Sequence, residues 1–329
     1  MLDARRPALV LAPMDGITDA PMRDLQGEIG AFTYCVTEFV RVSQTPVPAK
    51  VFRREVPELL TGARTSTGLS VQVQILGGHP ERMAQSAASA VRAGATAIDI
   101  NFGCPAPTVN RNDGGATLLQ YPHRIREVVA AVRAAVPAEL PVSAKLRLGW
   151  DDVEAIHVNA AMAAEGGASW LTIHARTRSQ GYAPPVFWRP IGVVHRSLGL
   201  PVVANGDIWT LDDFRRCRDE TGVQHFMLGR SALSNPALSH GIAAELGMPS
   251  HRPDLEWGSL FRQWVSRVPE ERKALARLKQ WISLAHRNGD FPWFHDLKRC
   301  ESTADFLAKL ADMTPAASSR RDSVATAIA

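Results

Sequence analysis

Ala97-Ile98-Asp99-Ile100-Asn101-Phe102-Gly103-Cys104-Pro105 is a short β-type run that ends in a glycine-cysteine-proline turn, and an amphipathic helix-type stretch follows it at 122–135. Several β-type runs of this chain are nearly continuous in apolar residues, as suits parallel strands covered on both faces. The same unit recurs along the chain. β-type runs are expected at 8–12, 34–39, 69–75, 97–101, 142–146, 170–174, 202–205 and 224–228, with helix-type stretches such as 80–93, 153–165 and 211–218 between them. Eight strands alternating with helices over about 240 residues predict an α/β chain folded as a (β/α)8 TIM barrel. A doubly wound open sheet is the alternative, and eight evenly spaced units weigh against it.

From about Pro249 the β-type runs stop. Residues 252–311 read as helices rich in Arg, Lys and Trp, broken by Asn288-Gly289 and Pro292. The expected plan is therefore a catalytic barrel over 1–245, an all-helical C-terminal domain over 246–312 and a disordered tail over 313–329, where Ala, Ser and Arg show no apolar period.

Composition narrows the class. The chain has 329 residues, 45% hydrophobic and 21% charged, as expected of a globular protein with a sizeable core. No run of about eighteen apolar residues could span a membrane, and the apolar stretch 7–13 is too short for a signal peptide, so a cytoplasmic protein is expected. Cys35, Cys104, Cys217 and Cys300 form no CxxC pair. Neither a zinc site nor a disulfide framework is expected, and no metal is assigned. A net charge of +4 and an isoelectric point near 9.0 favour a polyanionic partner only mildly.

In such a barrel the active site forms at the C-terminal strand ends. The unusual polar residues fall there: Pro13-Met14-Asp15 after the first run, Glu38 at the second, Gln74 at the third, and Asn101 to Pro105 after the fourth. Lys145 and Arg147 follow at the fifth, His174 and Arg176 at the sixth, Asn205-Gly206-Asp207 at the seventh and Gly229-Arg230 at the eighth. Any one of these has an ordinary structural explanation; their placement at eight successive ends does not. Gly206 and Gly229-Arg230 occupy the usual phosphate corner, where glycine admits a phosphate close to backbone N–H groups and Arg230 adds a cation. Two ordinary βα turns would explain the glycines alone. A buried Lys145 needs an anionic or polar partner. Cys104, on an exposed turn at the barrel mouth, is a candidate nucleophile or general acid, against the plainer role of a small buried hydrophobe.

The ordered set Ala12-Pro13-Met14-Asp15-Gly16-Ile17-Thr18-Asp19, Asn101 to Pro105, Lys145-Leu146-Arg147-Leu148-Gly149-Trp150, Ile173-His174-Ala175-Arg176-Thr177, Asn205-Gly206-Asp207-Ile208 and Gly229-Arg230 resembles the tRNA-dihydrouridine synthases. Thr37-Glu38-Phe39-Val40-Arg41-Val42, Thr108-Val109-Asn110 and Gly114-Gly115-Ala116-Thr117-Leu118-Leu119 resemble the synthase C subgroup, which modifies position 16 of the D-loop. The resemblance implies FMN, reduced by NADPH, held by Pro13, Met14, Gln74, Lys145, His174, Asn205, Gly206, Asp207, Gly229 and Arg230. It implies hydride transfer to C6 of a uracil and protonation of C5 by Cys104. The tRNA would be met by Glu38, Asn101, Arg147 and Arg178 at the barrel mouth and by Arg277, Lys279 and Gln280 in the helical domain, with the target base splayed from its stack. No dinucleotide fingerprint follows a strand, so NADPH is expected to visit only transiently, and a monomer is expected. The sequence leaves two rivals: a dihydroorotate- or dihydropyrimidine-type flavin oxidoreductase acting on a free pyrimidine, and a non-catalytic tRNA-binding protein.

Overall fold

The structure is a computed structural model that describes residues 1–251 and 253–313. Met313 closes the last helix, and the rest of the expected tail lies outside the described residues. The chain divides into two compact units, Met1–Pro253 and Asp254 onward.

The first unit is built on eight parallel strands: β1 (Ala8–Leu11), β2 (Tyr34–Val36), β3 (Ser70–Leu76), β4 (Ile98–Asn101), β5 (Val142–Arg147), β6 (Leu171–His174), β7 (Val202–Asn205) and β8 (His225–Leu228). Each strand pairs with the next, and β1 pairs with β8, so the sheet closes into a (β/α)8 barrel. The second run ends sooner than its sequence suggests. Gln74 N finds the Thr37 hydroxyl oxygen at 3.0 Å in place of a backbone acceptor, which releases Glu38 and Phe39 from the ladder. Val40–Arg41 then rejoins the end of β3.

Covering helices start and stop where backbone chemistry allows. The helix Pro80–Ala93 opens on proline and closes at Gly94, which has a φ of +115° and lies so near Leu59 O that an added Cβ would come within 2.5 Å of it.

The barrel interior has two unlike halves. Val10, Ala12, Tyr34, Val36, Trp170, Val203 and Met227 form an apolar cluster, with Met1 and Leu2 packed against it. Across from it, β3 alternates Val71, Val73 and Ile75 with Gln72 and Gln74. Period-two geometry turns the glutamines inward and the aliphatic residues toward the helices. Thus the polar face of this strand lies inside the barrel.

The second unit contains the helices Trp257–Arg267, Glu271–Asn288, Phe294–Leu297 and Thr303–Met313. Its centre is aromatic: Phe261 meets Trp281 and Phe306 edge to face, with ring centroids 5.3 and 5.5 Å apart. The buried Trp264 Nε1 donates to Ala274 O at 3.1 Å, so its polar edge is satisfied.

A buried ion pair tethers the first barrel helix. Arg23, 1% exposed, donates from Nε and Nη2 to both Glu58 carboxylate oxygens at 2.8 Å, and from Nη1 to Thr18 O at 2.6 Å. Arg23→Met would leave the Glu58 charge buried without its partner. Chemical denaturation should show a loss of about 3–5 kcal/mol; a loss too small to measure would mean that Glu58 is rehydrated in the variant.

Candidate active site

All eight strand ends open onto one cavity of about 330 Å³. It brings together Pro13 and Met14 after β1, Glu38 after β2, Gln74 in β3, Asn101 and Cys104 after β4, and Lys145 and Arg147 in β5. His174, then Asn205, Gly206 and Asp207, then Gly229 and Arg230 complete the circuit. Four other candidates lie elsewhere. Arg178 stacks its guanidinium 4.5 Å over the Trp150 ring and does not line the cavity. Arg277, Lys279 and Gln280 belong to the helix Glu271–Asn288 of the second unit, where Arg277 and Gln280 are hydrogen-bonded to each other.

Cys104 sits on a turn pinned from two sides. Asn101 Oδ1 accepts from Gly103 N at 2.9 Å and from Cys104 N at 3.0 Å. Arg147 Nε donates to Gly103 O at 2.8 Å. Burial pushes the Cys104 thiol up, with Asp15 adding to the effect and Arg147 opposing it. A thiol so placed keeps its proton near neutrality, which suits an acid better than a nucleophile.

The strand ends that follow are cationic. Lys145 Nζ donates to Asn205 Oδ1 at 3.2 Å, and Asn205 is itself oriented by donation from Nδ2 to Met227 O at 2.9 Å. Burial, then repulsion by Arg147, lowers the Lys145 ammonium to about 8, while Asp99 pulls the other way. Burial and four neighbouring cations hold His174 well below its ordinary value, so it stays neutral. An ammonium with three donors and Asn205 as one acceptor is suited to an electron-rich or anionic ligand. At the next corner Gly206 has a φ of +118°, and a Cβ there would come within 2.7 Å of the His174 ring. Only glycine holds that turn without displacing the imidazole. Asp207, half-buried, accepts from the buried Arg176 and from Arg230 Nη2 at 3.4 Å. Arg230 is thereby held at the cavity edge.

Several contributors escaped sequence reading. Tyr182 lies on the loop after β6 and lines the cavity, with the Arg147 and Arg230 guanidinium carbons 5.2 and 4.9 Å from its ring centre. Arg147 fixes that loop by donating to Thr177 O and Gly181 O at 3.0 and 2.7 Å. Nothing in the local sequence marks Tyr182. Trp209 also lines the cavity, beneath Arg230. Asp99 and Ser143 lie just behind it, and here a signal existed: in Ile98-Asp99-Ile100-Asn101 the alternation puts Asp99 on the same face as Asn101. Among the described residues, no cluster of three or more His, Cys, Asp or Glu side chains is placed to hold a metal ion, and no helix is long and apolar enough to cross a membrane.

A closed parallel barrel whose eight strand ends share one cavity defines the class of barrel enzymes that work from their strand-end loops. Within that class the chain belongs to the dihydrouridine synthase family, whose pattern, described as Dihydrouridine synthase (Dus), matches residues 10–312. It is 45% identical over 285 residues to a tRNA-dihydrouridine(16) synthase of Aquipseudomonas alcaligenes, covering 85% of this chain and 90% of that protein. A tRNA-dihydrouridine(16) synthase of Haemophilus influenzae is 39% identical over 92% of this chain and 98% of its own. Among solved structures, an old yellow enzyme homologue from Zymomonas mobilis superposes on 76% of this chain and 91% of its own, with a TM-score of 0.50 and 13% identity, which speaks to the fold alone.

The raised thiol yields a direct test. Cys35, Cys217 and Cys300 are buried, so iodoacetamide should select Cys104. Its alkylation rate should still be climbing above the ordinary thiol value of about 8.5. A midpoint well below that value would show a thiolate-stabilising site and contradict the assignment of an acid.

Proposed function

We propose that this protein reduces the C5=C6 bond of a D-loop uridine in tRNA, at position 16, to 5,6-dihydrouridine in the cytoplasm, using FMN and NADPH. The observation that carries this is the turn at Cys104: a protonated thiol, pinned by Asn101 and Arg147, shares one cavity with Lys145 and the glycine corners. When bound, FMN reduced by NADPH supplies a hydride to C6 of the uracil. The residues present fit such a group. Gly206, Gly229 and Arg230 offer backbone N–H groups and a cation to its phosphate, and Lys145 and Gln74 offer donors to the polar edge of its ring. Pro13, Met14, Asn205 and Asp207 complete its surroundings, and neutral His174 can donate a hydrogen bond without adding charge.

Cys104 then gives its proton to C5. The resulting thiolate lies near the Arg147 cation, which moderates its cost. Glu38 is partly buried, accepts from Ile17 N at 3.0 Å and stands at the mouth of the cavity, where with Asn101 and Arg147 it can read the polar edge of the base. The names of the relatives support position 16 and tRNA. Arg178, stacked on Trp150 outside the cavity, is assigned to a flanking part of the RNA. In the second unit Arg277, Lys279 and Gln280 are assigned to phosphates of the tRNA body.

Three outcomes check this. Acid-released cofactor from the purified protein should be FMN; release of FAD would contradict the phosphate corner as drawn. Cys104→Ala should reduce its flavin with NADPH at close to the normal rate yet slow the step with tRNA by roughly 10²–10⁴-fold. Wild-type turnover on tRNA would make Cys104 a packing residue. Replacing Arg277 and Lys279 by alanine should weaken tRNA binding and flatten the log affinity against log salt slope by somewhat under about one unit per lost contact. An unchanged slope would remove this helix from the RNA interface.

A further inference from the structure

Five side chains in and behind the cavity wall form two hydrogen-bond chains that run toward one carboxylate. From one side Gln72 Nε2 donates to Ser143 Oγ at 2.9 Å, and Ser143 Oγ donates to Asp99 Oδ1 at 2.5 Å. From the other, Gln74 Nε2 donates to Asp99 Oδ2 at 2.7 Å, and Asn101 Nδ2 donates to Gln74 Oε1 at 2.8 Å. Asn101 Oδ1 is thereby left to accept the Gly103 and Cys104 backbone N–H groups. Asp99 itself is 2% exposed and does not line the cavity.

A glutamine or asparagine amide has nearly the same shape when its oxygen and nitrogen are exchanged, so packing alone sets no direction for such a chain. Its ends set it. The backbone N–H groups at the Cys104 turn demand an oxygen from Asn101. That demand is met only if Asn101 turns its nitrogen to Gln74, and Gln74 turns its nitrogen to position 99. The register places these groups side by side, Gln74 beside Asp99 and Asp99 beside Ser143.

We infer that Asp99 is a positioning residue, whose acceptor oxygen fixes the orientation of the Gln74 and Asn101 amides and through them the turn that carries Cys104. Burial pushes the Asp99 carboxyl up to about 6, against the pull of Ser143, Gln74 and Lys145, so above that pH both oxygens are acceptors only. If the acceptor is lost, Gln74 Nε2 has no buried partner and its amide is free to turn. Asn101 then faces either a matching nitrogen or an unpaired turn, and an unmatched buried amide is costly. The inference rests on the assignment of Cys104 as proton donor, so its test has one readout that is independent of turnover.

The test compares Asp99→Leu with Asp99→Asn in the full-length, flavin-loaded protein. Leucine has similar bulk and no acceptor. Asparagine keeps one oxygen for Gln74 while its nitrogen can donate to the Ser143 hydroxyl oxygen. Two quantities are measured: iodoacetamide alkylation of Cys104 without substrate, and single-turnover reoxidation of the reduced protein by tRNA. Asp99→Leu should be alkylated several times faster than wild type, as the turn loosens. Its tRNA step should slow by roughly tenfold to a hundredfold, the usual cost of a misplaced reacting group. Asp99→Asn should stay close to wild type in both. Should the leucine variant fail to fold, Asp99→Ala removes the same acceptor without added bulk and is read in the same way.

Wild-type behaviour of the acceptor-free variant in both measurements would overturn the inference, and so would an asparagine variant as impaired as the leucine one. Cys104→Ala, run beside them, separates the two layers: full turnover there would overturn the proton-donor assignment, and the alkylation rates would still decide whether Asp99 holds the turn.

Discussion

Closure of the parallel sheet between Ala8–Leu11 and His225–Leu228 is the constraint from which the rest of this molecule follows. A closed ring leaves no unpaired edge within the barrel, and its parallel sense sends every strand toward the same mouth. Eight loops therefore meet around one cavity, although their residues are spread from Pro13 to Arg230. A side chain at a strand end inherits the rigidity of the ladder beneath it, which is why Asn101, Lys145, His174 and Asn205 can be held in fixed relation. Asn101 lies beside Lys145 in register, and His174 beside Asn205.

The barrel does not spend its whole interior on apolar packing. One arc is a conventional core around Tyr34 and Trp170, whose rings meet edge to face with centroids 6.2 Å apart. The other carries two glutamines, an aspartate and a serine, all buried and all engaged in hydrogen bonds. Such a network contributes little net stability compared with aliphatic filling, but it specifies direction at the atoms that need it. The cations above it follow the same logic. Arg147 and Arg176 are almost fully buried, and each is neutralised or satisfied by loop carbonyls or by Asp207, so they tie down the loop bearing Tyr182 while raising the positive potential of the cavity. Local stability is given up where the chemistry requires it.

The alternation of apolar runs and amphipathic stretches sufficed to read the barrel, because parallel strands under helices have few other ways to be buried. The strand-end position of Gln74, Cys104, Lys145 and the glycine corners was equally legible, since each is an improbable residue at a predictable place. What escaped was decided by side-chain geometry. Residues 34–39 look like one strand, yet Thr37 supplies a hydroxyl where the ladder needs a carbonyl, and the strand lets go before Glu38. Asp99 was hidden inside an apolar run that is easily read as core. Tyr182 depends on a loop conformation held from a distance by Arg147. The free-pyrimidine rival shares the barrel and the cysteine loop; membership of the dihydrouridine synthase family, not any one residue, is what tells against it.

The most direct measurement of the central claim is a map of dihydrouridine, position by position, in tRNA from cells that lack this protein and from the same cells with it restored. The account predicts that dihydrouridine at position 16 disappears in the deletion, returns with the wild-type protein and stays absent with Cys104→Ala, while the other D-loop positions keep theirs. Unchanged modification at position 16 in the deletion strain would contradict it.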